Sequence, residues 1–220
     1  MKNILRGNGY DPGTKRGLGT WDEFITIHAS TLGQCDFLCK RSLTPKGFRD
    51  LFVIVFLHVG SRRVFITPAT AHPNDAWVQK QASDFLKHVK KTKLPAEVLM
   101  HDRDTKFTAK FCDIIESDGP KFVEIAPRSP NMNPHAERWV QTVRRECLDH
   151  FLVLGERHLR HLLSVFLSHY HSFRPHQSLG NGLIVPSGAM PEEVVSLAPA
   201  KVICRAALGG LLNHYERRAA

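Results

Sequence analysis

Seven consecutive apolar residues, Leu51 to Leu57 (LFVIVFL), most restrict the folds open to this chain. The run is too short to cross a bilayer and reads as a buried strand, which carries on to Val59. Gly60-Ser61 makes a turn, and Arg63 to Thr67 reads as a further strand. Upstream, Cys35-Asp36-Phe37-Leu38-Cys39 reads as a strand that the proline and glycine of SLTPKGFRD bring to an end. Together the three suggest an antiparallel meander. Asn74 or Asp75 caps a helix running to about Val89, and Glu97 to Met100 is a short strand. Thr108 caps a helix over Ala109 to Ser117, and Lys121 to Ile125 is another strand. A second long helix runs from Glu156 to about Phe173 and is closed by RPHQSLG.

Size and charge narrow the class. The chain has 220 residues, 42% hydrophobic and 23% charged, enough for one well-filled domain with a small appendage. Its net charge of +9 favours a polyanionic partner, nucleic acid or an acidic membrane surface. The N-terminus, MKNILRGNGY, has no apolar signal-peptide core. Five cysteines form no pairwise framework, which suits a reducing interior and a cytoplasmic protein. There is no CxxC and no cysteine pair at zinc-ligand spacing after the histidines. Residues 1–20, rich in Gly and basic residues, read as a flexible leader. Residues 21–175 read as the core, and 176–220 as an extension of loops and short helices.

The chemistry is expected around Pro127 to His150, PRSPNMNPHAERWVQTVRRECLDH. Three prolines and two asparagines make a loop that turns helical. Asn133 suits the N-cap, Pro134 the first helical position, and Glu137 falls in the first turn. Glu137, Gln141, Arg144 and Arg145 share one face, and Ala136, Val140, Val143 and Cys147 recur on another. A carboxylate with donors and cations beside it suits a metal-bound phosphate. The helix macrodipole by itself also favours a first-turn glutamate. Asp36, mid-strand among apolar neighbours, is costly unless it is paired, metal-bound or turned outward at a sheet edge. Asp102 leaves a strand end, where ligands gather in α/β folds.

These pieces in order resemble the catalytic core of the retroviral integrase superfamily, and within it the transposases of bacterial insertion sequences. CDF around Asp36 is similar to that family's first-strand aspartate. HDRDTKF is similar to its second motif, SPNMNPHAERWVQTVRRE to its third, and RPHQSLG to its closing signature. The resemblance runs from about Trp21 to Pro186. It implies a ribonuclease H-like α/β fold, whose central mixed five-stranded sheet has three antiparallel strands, then parallel additions, with helices flanking it. It also implies DNA cleavage and strand transfer at an Asp-Asp-Glu site. By that resemblance Asp36 bridges two Mg²⁺ (or Mn²⁺) ions, Asp102 holds one and Glu137 the other.

The chain departs from the pattern in places. Asp104 stands where the family often has glycine and competes with Asp102 as second ligand. Lys106 stands where an acidic residue is common, and Pro134 stands near Glu137 where glycine is expected. The segment between Asp102 and Glu137 has 34 residues where 35 is frequent. Gln141 and Arg144, on the Glu137 stripe, are read as phosphate contacts. Arg138 and Arg145 fit a DNA contact and a solvated face equally.

The implied partners are DNA, in the form of element ends and target, and further copies of the chain. No membrane partner is implied. Related transposases carry a helix-turn-helix region before the core. About twenty residues precede Trp21, so a separate helix-turn-helix subunit or a truncated chain is expected. The competing functions are a DNA-binding relative whose catalysis has decayed and a ribonuclease H-type nuclease.

Overall fold

The computed structural model describes residues 21–117, 119–126, 133–185 and 202–217. The expected leader, the proline-rich loop at 127–132 and the segment 186–201 lie outside the described residues. Helix α1 (Trp21–His28) leads into strands β1 (Leu32–Thr44), β2 (Gly47–His58) and β3 (Val64–Ile66). Then come α2 (Asp75–Thr92), β4 (Val98–His101), α3 (Ala109–Ser117) and β5 (Lys121–Glu124). Helix α4 (Pro134–Glu146), β6 (Val153–Leu154) and α5 (Gly155–Ser172) follow. A hairpin of β7 (Val202–Ala207) and β8 (Leu212–Arg217) completes the described elements.

The apolar run of β2 has no polar alternation because both of its faces are covered. Leu51, Val53, Val55 and Leu57 join the core under α4 and α5. Ile54 and Phe56, pointing the other way, join the core under α2 and α3. Full burial of each such side chain contributes about 1.5–3 kcal/mol, so this strand fixes the middle layer.

The main sheet has the order β3-β2-β1-β4-β5, with β6 added to β1. β1–β2 and β2–β3 pair antiparallel; β1–β4 and β4–β5 pair parallel. This is the expected mixed sheet, enlarged by the two-residue β6. β1 does not end after Cys39. It runs on through the mostly polar residues Lys40 to Thr44 into a tight hairpin at Pro45-Lys46. Thr44 Oγ1 donates to the Gly47 carbonyl at 2.7 Å, and Gly47 takes a φ of 96°, which only glycine adopts without strain. The tied turn keeps that polar stretch in register with β2.

The C-terminal segment also differs from the expected loops and short helices, because 202–207 and 212–217 are paired strands. Gly209 and Gly210, both at positive φ, turn the chain between them. Leu212 is buried in the α4/α5 core, and His214 stacks on Phe173 with ring centroids 3.6 Å apart. No helix among the described residues is long and apolar enough to cross a membrane.

Candidate active site

The last parallel pair between β1 and β4 is Cys35 with His101. The next residues on those two strands are Asp36 and Asp102. Farther along, the same edge of β1 is taken up by β6 at Ser42 and Leu43. Asp36 and Asp102 therefore stand side by side where β4 leaves the sheet, at the carboxyl end of a strand. Crevices form at such divergences.

Glu137 is brought to the same place by contacts far apart in sequence. Gln34 is fully buried on β1, two residues before Asp36, and so on the same face. Its Oε1 accepts the backbone N–H groups of His135 (3.0 Å) and Ala136 (3.2 Å), the first turn of α4. Gln34 thus caps the helix. Asn133 occupies the N-cap position and makes no side-chain cap bond. Its side-chain amide instead donates to the Cys35 carbonyl at 3.0 Å. Pro134 takes the first helical position, where a missing N–H costs nothing. Gln34 and Asn133 together fasten the start of α4 to the strand that carries Asp36, with Glu137 one residue beyond the capped N–H groups.

The three carboxylates act on one another. Asp36 is pushed up to about 7, chiefly by burial, then by the charge of Asp102 and, more weakly, those of Glu137 and Asp104. The Phe37 N–H, which donates to Asp36 Oδ1 at 2.7 Å, opposes this. Burial raises Asp102; the Asp104 backbone N–H, which donates to Asp102 Oδ1 at 3.3 Å, opposes this, and the Asp104 charge adds a smaller upward push. Burial and Asp102 raise Glu137. Asp104 differs from Asp102 in having a resident cation, since Lys106 Nζ lies 2.6 Å from its Oδ2. The same ammonium sits over the Phe37 ring at 4.8 Å. Asp102 acts on both Asp36 and Glu137, whereas Asp104 is the weakest of the groups acting on Asp36.

A cluster of oxygen donors that repel one another suits a hard divalent cation in charge and chemistry. Among the described residues, however, no three His, Cys, Asp or Glu side chains form a ready-made ligand sphere. The fit therefore lies in donor type and charge.

The other expected residues divide. Gln141, Arg138 and Arg145 are exposed on α4. Arg144 is drawn inward, and its Nη2 donates to the Cys39 carbonyl at 2.8 Å, so it ties α4 to β1. Trp139 is 2% exposed and packs edge-on against Phe166 and Tyr170. His101 stacks on Phe122 at 3.8 Å, and its Nδ1 lies 2.6 Å from the Asp102 carbonyl oxygen, which steadies the turn after β4. The motifs mark Lys106 only as a departure from an acidic position and give no sign of Gln34. A glutamine two residues before a strand aspartate, among apolar neighbours, is the signal that was available for Gln34.

Residues 119–182 match the family model of the integrase core domain. No curated protein sequence matches the chain. Among solved structures, the simian T-cell lymphotropic virus intasome in complex with PP2A regulatory subunit B56 gamma is similar at 13% identity and a TM-score of 0.53. The match covers 84% of this chain and 66% of that one, just under two thirds of its length. The HTLV-2 integrase catalytic core domain in complex with magnesium is similar in its dimeric form at 14% identity, a TM-score of 0.47, and 64% and 86% coverage. For its trimeric form the figures are 14%, 0.49, 69% and 92%. The likeness to the intasome chain shows the fold, a mixed sheet flanked by helices of the ribonuclease H-like kind.

Proposed function

We infer that this chain, for which the family match and the fold support a catalytic core of the integrase superfamily, cleaves and joins DNA phosphodiesters at Asp36, Asp102 and Glu137. The observation that carries this is one of placement. Asp36 and Asp102 follow the last parallel pair of β1 and β4, and Gln34 and Asn133 fasten the helix of Glu137 to β1.

These three side chains would hold Mg²⁺ or Mn²⁺, two ions in the full site, with Asp102 rather than the Lys106-paired Asp104 as second ligand. Bound there, such ions supply charge stabilisation to the attacking and leaving oxygens of an in-line displacement. The chain supplies the rest. Burial keeps the carboxylates short of water, Gln34 and Asn133 fix their spacing, and exposed Arg138, Gln141 and Arg145 border the path of the DNA backbone. Carboxylates rather than Ser or Tyr make up the site, so the attacking group is water or a DNA 3′-hydroxyl, with no covalent protein–DNA intermediate. The working form on DNA is a homo-oligomer.

The test is nicking and strand transfer of labelled duplexes with Mg²⁺ or Mn²⁺. Asp36→Asn, Asp102→Asn and Glu137→Gln should each lower the rate roughly 100-fold or more, and Asp104→Asn much less. Activity that survives both Asp36→Asn and Glu137→Gln rejects the site. DNA binding with no metal-dependent cutting would point instead to a decayed DNA-binding relative, and cutting confined to RNA–DNA hybrids to a ribonuclease H-type nuclease.

A further inference from the structure

A different face of α4 from the one bearing Glu137 lines a polar cavity of about 380 Å³. His135, Arg138, Trp139 and Thr142, at helical spacing, form one wall. Arg62, from the turn between β2 and β3, and the closing segment Arg174 to Ser178 form the others. No carboxylate lines it among the described residues. Arg174 is paired with Glu146. Arg62 and Arg138 make no ion pair among the described residues.

Arg62 is held in place without an acid. It has a left-handed backbone (φ 58°), its Nε donates to Ser178 Oγ at 3.1 Å, and its Nη1 donates to His135 Nδ1 at 2.6 Å. Burial, and behind it the charge of Arg138, pull its pKa down, although Tyr170 works the other way. The indole N–H of Trp139, in the same wall, is buried with no partner among the described residues. A desolvated guanidinium beside a second one, with an unused N–H donor nearby, lacks an oxyanion.

The cavity also lies close to the carboxylates. Val55 pairs with Asp36, and Leu57, which lines the cavity, pairs with Gln34. The wall therefore begins two residues along the strand from the level of Asp36, about 7 Å.

We propose that this cavity holds a backbone phosphate of the DNA strand engaged at the carboxylate cluster, between the guanidinium groups of Arg62 and Arg138. The proposal rests on the reading of the chain as a DNA-processing core, but it is tested by binding alone. A labelled duplex is titrated with the full chain in EDTA over a range of chloride concentrations. In parallel, melting is followed with inorganic phosphate against chloride at equal ionic strength.

Arg62→Gln and Arg138→Gln should each weaken duplex binding about tenfold and lower the log–log salt slope by about 1. Phosphate should raise the melting temperature of the wild-type chain and not that of either variant. Arg62 anchors two neighbours, so its variant can fail to fold. Arg138 is exposed and makes no ion pair among the described residues, and its variant then decides. Unchanged duplex affinity in folded Arg138→Gln overturns the proposal. So does phosphate protection lost in the variant while duplex affinity is kept, which marks a small-anion site. Because no metal is present, loss of cutting in Asp36→Asn or Glu137→Gln has no bearing on this outcome.

Discussion

At neutral pH the carboxyl group of Asp36 is near half-ionised, because burial and then Asp102 raise it from an ordinary 3.8 to about 7. Between about pH 4 and pH 7 the folded chain keeps a proton there that the unfolded chain has released. Stability from this group is therefore full below about pH 4 and is lost as pH rises through 7. Asn at this position removes the ionisation. In EDTA at pH 8, Asp36→Asn should melt roughly 5 °C above the wild-type chain. By pH 4 the two should converge. Equal differences at both pH values in thermal scans would show that repulsion among the carboxylates is not what burdens the site. Asp36 was legible as a candidate from the sequence because an ionisable residue interrupts an apolar strand. Its neighbour Gln34 was not, because the N–H groups it accepts belong to residues 135 and 136, and no local pattern reveals a cap supplied across the fold.

The elements around the site depend on such distant contacts. Gln34→Leu keeps a buried volume and uncaps α4, so two first-turn N–H groups lose their acceptor. The expected cost is about 1–2 kcal/mol in denaturant unfolding, with a fall in DNA cutting as Glu137 loses its fixed distance from Asp36. An unchanged rate in the folded variant would remove Gln34 from any positioning role.

A second contact joins β3 to α5. The Val64 N–H donates to His171 Nε2 at 3.0 Å, so that ring nitrogen must be unprotonated. Burial, then Arg63, pull His171 down to about 4. A lowered histidine loses stability as pH falls below about 6.5 and through 4, the opposite sense to Asp36. His171→Gln keeps an acceptor that takes no proton. It should flatten the acid side of the stability profile between pH 6.5 and 4, as read by melting temperature. A profile with the wild-type slope would contradict this.

Helices α2 and α5 are readable from apolar spacing and strand β2 from its unbroken apolar run, because burial in the fold imposes both, and α3 from its Thr108 cap. The sequence pattern ends β1 too early, because four of its last five residues are polar and hold their place through the Thr44–Gly47 turn. The Ala/Leu stretch within 202–217 reads as part of an extension of loops and short helices. Two glycines at positive φ and the anchor at Leu212 set a hairpin instead. Arg144 fell on the expected stripe, yet it is committed to the Cys39 carbonyl, a partner invisible to periodicity.

Across the whole molecule, two chemically opposite stations share one helix. Glu137 faces the carboxylate crevice on one side of α4, and the guanidinium groups of Arg62 and Arg138 border the cavity on another. With a net charge of +9 over the chain, duplex affinity should fall steeply with salt, and non-specific DNA should bind by the same term. The central claim is narrower, that Asp36, Asp102 and Glu137 converge on one divalent-ion site. Mn²⁺ titration of the full chain, followed by electron paramagnetic resonance, tests it most directly. The account predicts Mn²⁺ binding that weakens at least about tenfold in each of Asp36→Asn, Asp102→Asn and Glu137→Gln and stays close to wild type in Asp104→Asn. Binding left intact by all three substitutions, or lost only with Asp104→Asn, would contradict it.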